Sequence, residues 1–389
     1  LLHFAERPLG EMAKEKRSRP LVAFIYLGRR GPLGQFTLQL AQAAAQLDDY
    51  DFEFVISSNN DLAGDFDKQG FVATKIDTFD RATPLSLMAG FLAARRALLE
   101  RFSKRPPIAA VTLMPHVWSP LLAPAIKKLG TKYLTVIHDA VPHPGDATAW
   151  TTRWLTSDAK QADLVITLSR SVAERIIDKR LTEPGRVFPL FHPDLVYEGD
   201  PTSRELPESR AMRILFFGRI LAYKGLPLLI DAIEMLKDRG VPIQLGLAGS
   251  GDLGPERERL EKIGADVVNR WIGDNEVSGI LRGYDAMACS HIEASQSGVA
   301  CAAFGSAMPV VAMPVGGIAE QVVEGKTGVL ARRITPYAFA EATQRLATVP
   351  GLFESISRSL NETSKERSTH RFLCELVSEI DSFVRTDTN

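Results

Sequence analysis

Short apolar runs rich in β-branched and aromatic residues alternate with stretches of helical period along nearly the whole chain, and the pattern is laid down twice. "LVAFIYL" (21–27), "DFEFVIS" (51–57), "AAVTLM" (109–114), "YLTVIH" (133–138) and "ADLVITLS" (162–169) read as buried strands. The first of them leads into Leu33, Thr37, Leu40, Ala44 and Leu47 at helical spacing. The stretch "FHPDLVYEGDPTSRELPESRA" (191–211) has neither period. After it the alternation restarts with "MRILFFG", a helix face of Leu226, Ile230, Ile233 and Leu236, and then "IQLGLAG", "YDAMAC" and "PVVAMPV". Strands alternating with helices build parallel sheets from βαβ units. The expected organisation is therefore a lead-in (1–20), one Rossmann-like α/β domain (21–200), a linker (201–211), a second such domain (212–365) and a C-terminal segment (366–389). Ligands of such folds sit at the carboxyl ends of the strands, so a cleft between two facing units is the expected site.

Composition narrows the setting. A chain of 389 residues with 45% apolar residues, 24% charged residues and a net charge of −1 is that of a globular protein with two or three cores, and it gives no support to general nucleic-acid binding. Cys289, Cys301 and Cys374 are too few and scattered for a disulfide framework or a zinc site, which points to a reducing cytoplasm. The lead-in lacks the apolar core of a secretory signal and reads as loosely docked; its start at Leu1 rather than methionine suggests missing upstream sequence. One run, Ala294 to Ala319, carries no formal charge and is long enough to span a bilayer as a single helix. Gly298, Gly305, Pro309, Pro314, Gly316 and Gly317 break it, so it is core or site rather than a membrane span.

Three strand-to-loop junctions carry the chemistry of anion binding. In "GRRGPLGQ" (28–35), Gly28, Gly31 and Gly34 let the backbone approach a ligand ahead of a helix N-terminus, although a tight turn explains them equally well. In "FFGRILAYKG" (216–225), Arg219 and Lys224 follow a strand and can clamp a diphosphate; the bland alternative is a solvated basic loop. In "EASQSGVACAAFGSA" (293–307), Ser295, Ser297 and the amide of Gly298 can cap a small-residue helix and donate to a phosphate, with Glu293 at its mouth. Core packing accounts for that helix but not for the glutamate.

With these segments in order, together with "VIHD", "ADLVITLSRSVAER", "IQLGLAGSGD", "WIGDNEVSGILRGYDAMAC" and "GGIAEQVVEGKTGVL", the chain resembles glycosyltransferase family 4. The likeness is close over about 212–332 and loose before it. It implies a GT-B fold of two Rossmann-like domains facing across a cleft, and a retaining, metal-independent enzyme that uses a nucleotide-activated sugar. By resemblance Arg219 and Lys224 neutralise the donor diphosphate, Glu293 binds the transferred sugar and His138 contacts that sugar from the N-terminal side. Ser295, Ser297, Gly298 and Val299 of the SQSGV stretch hold phosphate oxygens, Ser250 and Gly251 line the nucleotide cleft, and the Gly31–Gly34 loop covers the reacting centre. The family's second loop glutamate, a ribose ligand, falls at Ala302. A charged hydrogen bond is worth about 1.5–3 kcal/mol, so its loss implies weaker donor binding or a substitute contact. The final "HRFLCELVSEIDSFVR" is expected, again by resemblance, to brace the first domain.

Other features have competing readings. Asp65 and Asp67 in "GDFD" have the spacing of a metal-binding pair but are better read as a solvated turn. His143 would need a third ligand to join His138 on a metal, and a loop lining the acceptor cleft is favoured for it. Glu320 reads as a helix-start acid. In "FLAARRALLERFSKRPP" (91–107), Arg95, Arg96, Arg101, Lys104 and Arg105 surround an apolar stripe. That is either a peripheral contact with an anionic membrane or a surface helix packed on the sheet. The resulting reading is a cytoplasmic glycosyltransferase, at the inner face of the membrane if that contact is made. It needs no metal or cofactor beyond the nucleotide-sugar donor, and its acceptor is a saccharide or lipid-linked saccharide in surface polysaccharide assembly. The alternatives are a non-catalytic GT-B subunit that binds a partner, favoured by Ala302, and a nucleotide-sugar epimerase.

Overall fold

Every residue of strand β1 (Leu21–Tyr26) is buried, because its side chains enter two different layers. Val22, Phe24 and Tyr26 join one core, and Ala23 and Ile25 join another. A strand buried on both faces belongs to a parallel sheet covered by helices on both sides. The computed structural model describes residues 19–71, 73–78, 83–139 and 154–386. In it β1 pairs with β2 (Asp51–Ser57) and β4 (Ala109–Thr112), extended by β3 (Ala73–Ile76), β5 (Lys132–Ile137), β6 (Leu164–Thr167) and β7 (Val187–Pro189). The order is β3-β2-β1-β4-β5-β6-β7. A second sheet repeats the plan with β8 (Met212–Phe217), β9 (Ile243–Gly249), β10 (Asp266–Asn269), β11 (Ala286–Cys289), β12 (Val310–Ala312) and β13 (Gly328–Leu330), in the order β10-β9-β8-β11-β12-β13. Strand order reverses between β1 and β4 in one sheet and between β8 and β11 in the other. Loops at such switch points are where this architecture binds ligands.

The uncharged run from Ala294 to Ala319 is divided into a loop, the helix Gly298–Phe304, the strand β12 and the start of the helix Gly316–Gln321. Among the described residues no helix is long and apolar enough to cross a membrane.

The segment between the sheets has no helix or strand from 190 to 211, yet it is bolted to the second domain. Arg204 donates to the carbonyls of Ser306, Leu281 and Tyr284, and the Leu195 amide donates to Cys301 O. The last helix, Thr369–Thr386, lies against the helix Pro32–Ala44 of the first domain. Phe372 meets Phe36 edge-on at 5.4 Å, and the Tyr50 hydroxyl donates to Asp381 at 2.5 Å. One hydrophobic cluster consequently runs from Phe24 and Phe36 through Phe372 into the core of the second sheet.

Candidate active site

Between the domains lies a cleft of about 580 Å³ formed by loops at both switch points. Its second-domain wall starts after β8. The chain passes Gly218 and Arg219, makes one 3-10 turn (Ala222–Lys224), and enters the helix Leu226–Asp238 at Gly225. Gly225 has φ +67°, and a Cβ there would lie 2.2 Å from Ser290 O. No other residue lets this loop press so closely on the loop after β11. The Ser290 hydroxyl fastens the two by donating to Lys224 O at 2.8 Å. Lys224 is thereby only 7% exposed. Its amine donates to Phe217 O at 3.1 Å, and among the described residues no carboxylate lies within ion-pair reach. Burial pushes that amine down to about 8, with Arg219 reinforcing the shift and Cys289 opposing it. Arg219 is exposed at the cleft and has no partner among the described residues.

Opposite these cations stands the start of the helix Gly298–Phe304. Ser297 caps it by accepting from the Ala300 amide at 3.2 Å, and its own amide donates to Gln321 Oε1 at 2.8 Å. Gly298 and Val299 line the cleft with first-turn amides that the helix itself leaves unpaired. Ala302, 2% exposed, also lines it, so this wall offers no carboxylate where the resemblance places one.

The first domain contributes Gly31, at φ +100° ahead of Pro32, together with Met114 after β4 and His138 after β5. His138 Nε2 lies 2.8 Å from Leu113 O, which requires the proton on Nε2. Its Nδ1 is then an acceptor, and the Gln296 amide of the other domain donates to it at 2.8 Å. Burial pushes His138 below the usual imidazole range, so the ring is neutral.

The cleft thus brings together Gly31, His138, Arg219, Lys224, Ser250, Ser297, Gly298 and Val299 of the residues singled out from sequence. Four others are placed outside its lining. Gly34 sits inside the helix Pro32–Ala44, its amide spent on Gly31 O. Gly251 bridges to Ile220. Ser295 is 1% exposed beneath the loop, its hydroxyl without a partner among the described residues. Glu293 turns toward Arg175 of the first domain at 4.0 Å. Tyr197, Trp271, Asp274, His291 and Gln296 line the cleft without having been singled out. The signal for Trp271 and Asp274 was their place in "WIGDN", directly after a strand of the second sheet.

Glu320 does serve a helix start, but that of the other domain. Its carboxylate accepts from the amides of Arg170 and Ser171 at 2.8 and 2.7 Å, at the head of the helix Arg170–Asp178. Asp65 and Asp67 pair separately with Lys68 and Lys75. His143 lies outside the described residues. The basic helix, Pro84–Lys104, buries Ala94, Leu98 and Phe102 against the sheet and turns Met88 and Leu92 outward. Arg101, Lys104 and Arg105 are tied to Glu53, Glu100 and Asp51, whereas Arg95 and Arg96 point outward with no partner among the described residues.

Residues 33–190 match the family model described as Glycosyltransferase Family 4, and residues 211–348 match Glycosyl transferases group 1. The D-inositol 3-phosphate glycosyltransferase of Corynebacterium glutamicum is 29% identical over 177 residues, which are 43% of this chain and 42% of that protein. The chain thus spans about half or less of the length of the curated relatives it matches. Anabaena HepE, solved in complex with UDP and glucose, matches with a TM-score of 0.68 at 14% identity, over 92% of this chain and 99% of that one. A putative UDP-N-acetylglucosamine 2-epimerase from Listeria monocytogenes matches with a TM-score of 0.63 at 14% identity, over 94% of this chain and 98% of its own. Likenesses at that identity show the fold alone. With one glycosyltransferase family model matched on each side of the cleft and two parallel-sheet domains forming it, the chain has the GT-B fold.

Proposed function

We propose that this chain transfers a sugar, with retention at the anomeric carbon, from a nucleoside-diphosphate sugar to a saccharide or lipid-linked saccharide in surface polysaccharide assembly. One observation carries the reading: Lys224, buried without a carboxylate, faces the same cleft as Arg219 and the amides of Gly298 and Val299. A buried uncompensated cation is costly, and an anionic ligand removes that cost. In the transfer, the bond from the anomeric carbon to the diphosphate breaks and negative charge gathers on the leaving group. Lys224 and Arg219 are already in place to take it, so stabilisation comes from fixed side-chain charges and the proposed route has no metal step. An acceptor oxygen then bonds to the anomeric carbon on the face the diphosphate leaves, and the departing phosphate takes the acceptor's proton. His138 is held neutral with both ring nitrogens committed, Nε2 to Leu113 O and Nδ1 to the Gln296 amide, so it shapes the cleft as a fixed ring rather than acting as a base. The relative solved with UDP and glucose makes UDP-glucose the first donor to try. Arg95 and Arg96 beside exposed Met88 and Leu92 support a peripheral membrane contact on the acceptor side, and with it a place at the inner face of a membrane.

A second reading, a GT-B subunit that binds without turnover, is favoured by Ala302. Thermal unfolding with UDP, GDP, ADP, dTDP and CMP in parallel, followed by a transfer assay with the donor it names, decides between them. A ligand at about a hundred times its Kd adds roughly 2.7 kcal/mol of stability. Stabilisation by one nucleoside diphosphate that vanishes in Lys224→Ala is expected, and it names the donor for a transfer assay. Stabilisation by none favours the non-catalytic reading, while donor conversion without any acceptor favours an epimerase.

A further inference from the structure

A second cavity of about 610 Å³ adjoins the cleft and shares Tyr197, Trp271 and Asp274 with it. Its chemistry is the reverse of the first. Asp61, Asp65, Glu198 and Asp274 line it together with several amide side chains, and no lysine or arginine does so among the described residues. Three of those carboxylates are already balanced: Asp61 by Arg30 at 3.4 Å, Asp65 by Lys68 at 2.9 Å and Glu198 by Arg282 at 2.6 Å. Asp274 is not. It has no cation partner among the described residues, and burial, with Asp61 and Asp65 nearby, pushes its carboxyl up to about 6.

Gln35, Gln39 and Gln42 spend amide N–H groups and keep their oxygens. Gln35 and Gln39 both spend an N–H on Val196 O, at 2.7 and 3.2 Å, and Gln42 spends one on Gln69 Oε1 at 2.8 Å. Gln39 is 9% exposed, and its Oε1 has no partner among the described residues. A buried acceptor left unpaired is a debt that a donor from a ligand settles. Trp271, 45% exposed, stands between the two cavities and presents a ring for stacking.

We propose that this second cavity is a subsite for an amino sugar, a ligand with one ammonium and several hydroxyls, and that it excludes phosphorylated ones. The single uncompensated carboxylate, Asp274, takes the single ammonium, and the free amide oxygens of Gln39 and Gln35 accept from hydroxyls. The apolar ring face lies on Trp271, where the ammonium is also favoured near the indole. A phosphate would meet carboxylates with no cation lining the cavity to receive it. The cavity's volume is within the range of small-molecule sites, about 300–1,000 Å³. The inference goes beyond the transfer reading and stands whether or not the chain turns over a nucleotide sugar.

Saturation-transfer NMR titrations of the full chain with glucosamine, glucose and glucose 6-phosphate at neutral pH test it. Glucosamine is expected to bind about tenfold more tightly than glucose, as one charged hydrogen bond would give, with glucose 6-phosphate weakest. Asp274→Asn should bring glucosamine down to the level of glucose, and Gln39→Met should weaken both. Gln39 does not line the cleft, so nucleotide stabilisation measured in Gln39→Met reports that the fold and donor site are intact. No saturable binding of glucosamine overturns the proposal, as does glucose 6-phosphate binding equally well, or glucosamine binding that neither substitution changes. Glucosamine binding in a protein that no nucleotide stabilises would defeat the transfer reading and leave this one standing.

Discussion

Burial holds the Lys224 amine at about 8, so the unliganded protein carries that charge below pH 8 and progressively loses it above. A diphosphate bound against the amine favours the charged form and raises the pKa. Affinity for a nucleoside diphosphate should therefore be flat from about pH 7, above the second ionisation of the terminal phosphate, to about pH 8. Above it, affinity should fall up to about tenfold per pH unit until the bound lysine itself titrates. Calorimetric titrations across pH, in buffers of different ionisation enthalpy, would show the fall and the accompanying proton uptake; an affinity unchanged through pH 9 would remove Lys224 from the site. The two cations were legible in sequence because a strand end followed by Arg219 and Lys224 leaves few places for either to go. The SQSG loop was legible as a loop but not in its directions. Ser295 points inward, Gln296 crosses to His138, and Glu293 turns to Arg175, since irregular backbone has no period from which to read side-chain orientation.

Elements were legible in proportion to how much they bury. The nine strands expected from apolar runs are the interior strands of the two sheets, whereas β3, β7, β10 and β13, the four edges, were passed over. An edge strand has one neighbour and needs no continuous apolar run: all four residues of β10 are exposed, and β7 and β13 are three residues long. The basic helix Pro84–Lys104 shows the same limit from the other side. Its period gave the buried stripe of Ala94, Leu98 and Phe102, but two of its four cations, and Arg105 just past its end, are spent on neighbouring carboxylates. If it docks on a membrane, Arg95 and Arg96 must carry the attraction, at about 1 kcal/mol each near an anionic surface. The protein should sediment with vesicles containing anionic lipid at low salt, release as salt rises, and fail to bind when both arginines become glutamate. Indifference to those substitutions would leave the helix as a plain surface element.

At the scale of the molecule, the contacts between domains are spread over the full height of the cleft. Gln296 meets His138, Ser169 donates to Ser295 O at 3.0 Å, and Glu320 caps the helix Arg170–Asp178, all on the ligand side. Behind the cleft, the last helix returns from the second domain to the first, where Phe372 packs between Phe36 and Phe191. Because a single hydrophobic cluster passes through that helix into both sheets, unfolding either domain exposes apolar surface of the other. The two should then unfold together. Three of the four tryptophans, Trp118, Trp150 and Trp154, lie in the first half of the chain, so fluorescence weights the first domain while far-ultraviolet circular dichroism sees both. In the wild type the two denaturation curves should coincide, the mark of one cooperative transition. Phe372→Ala removes a fully buried ring at a cost of about 3–5 kcal/mol and loosens the helix that joins the two cores. The fluorescence curve should move to lower denaturant ahead of the dichroism curve, which follows the intact second sheet. Curves already separate in the wild type, or curves that stay together and unmoved in the variant, would mean that the domains are held by the cleft contacts alone and that the helix is only an appendage.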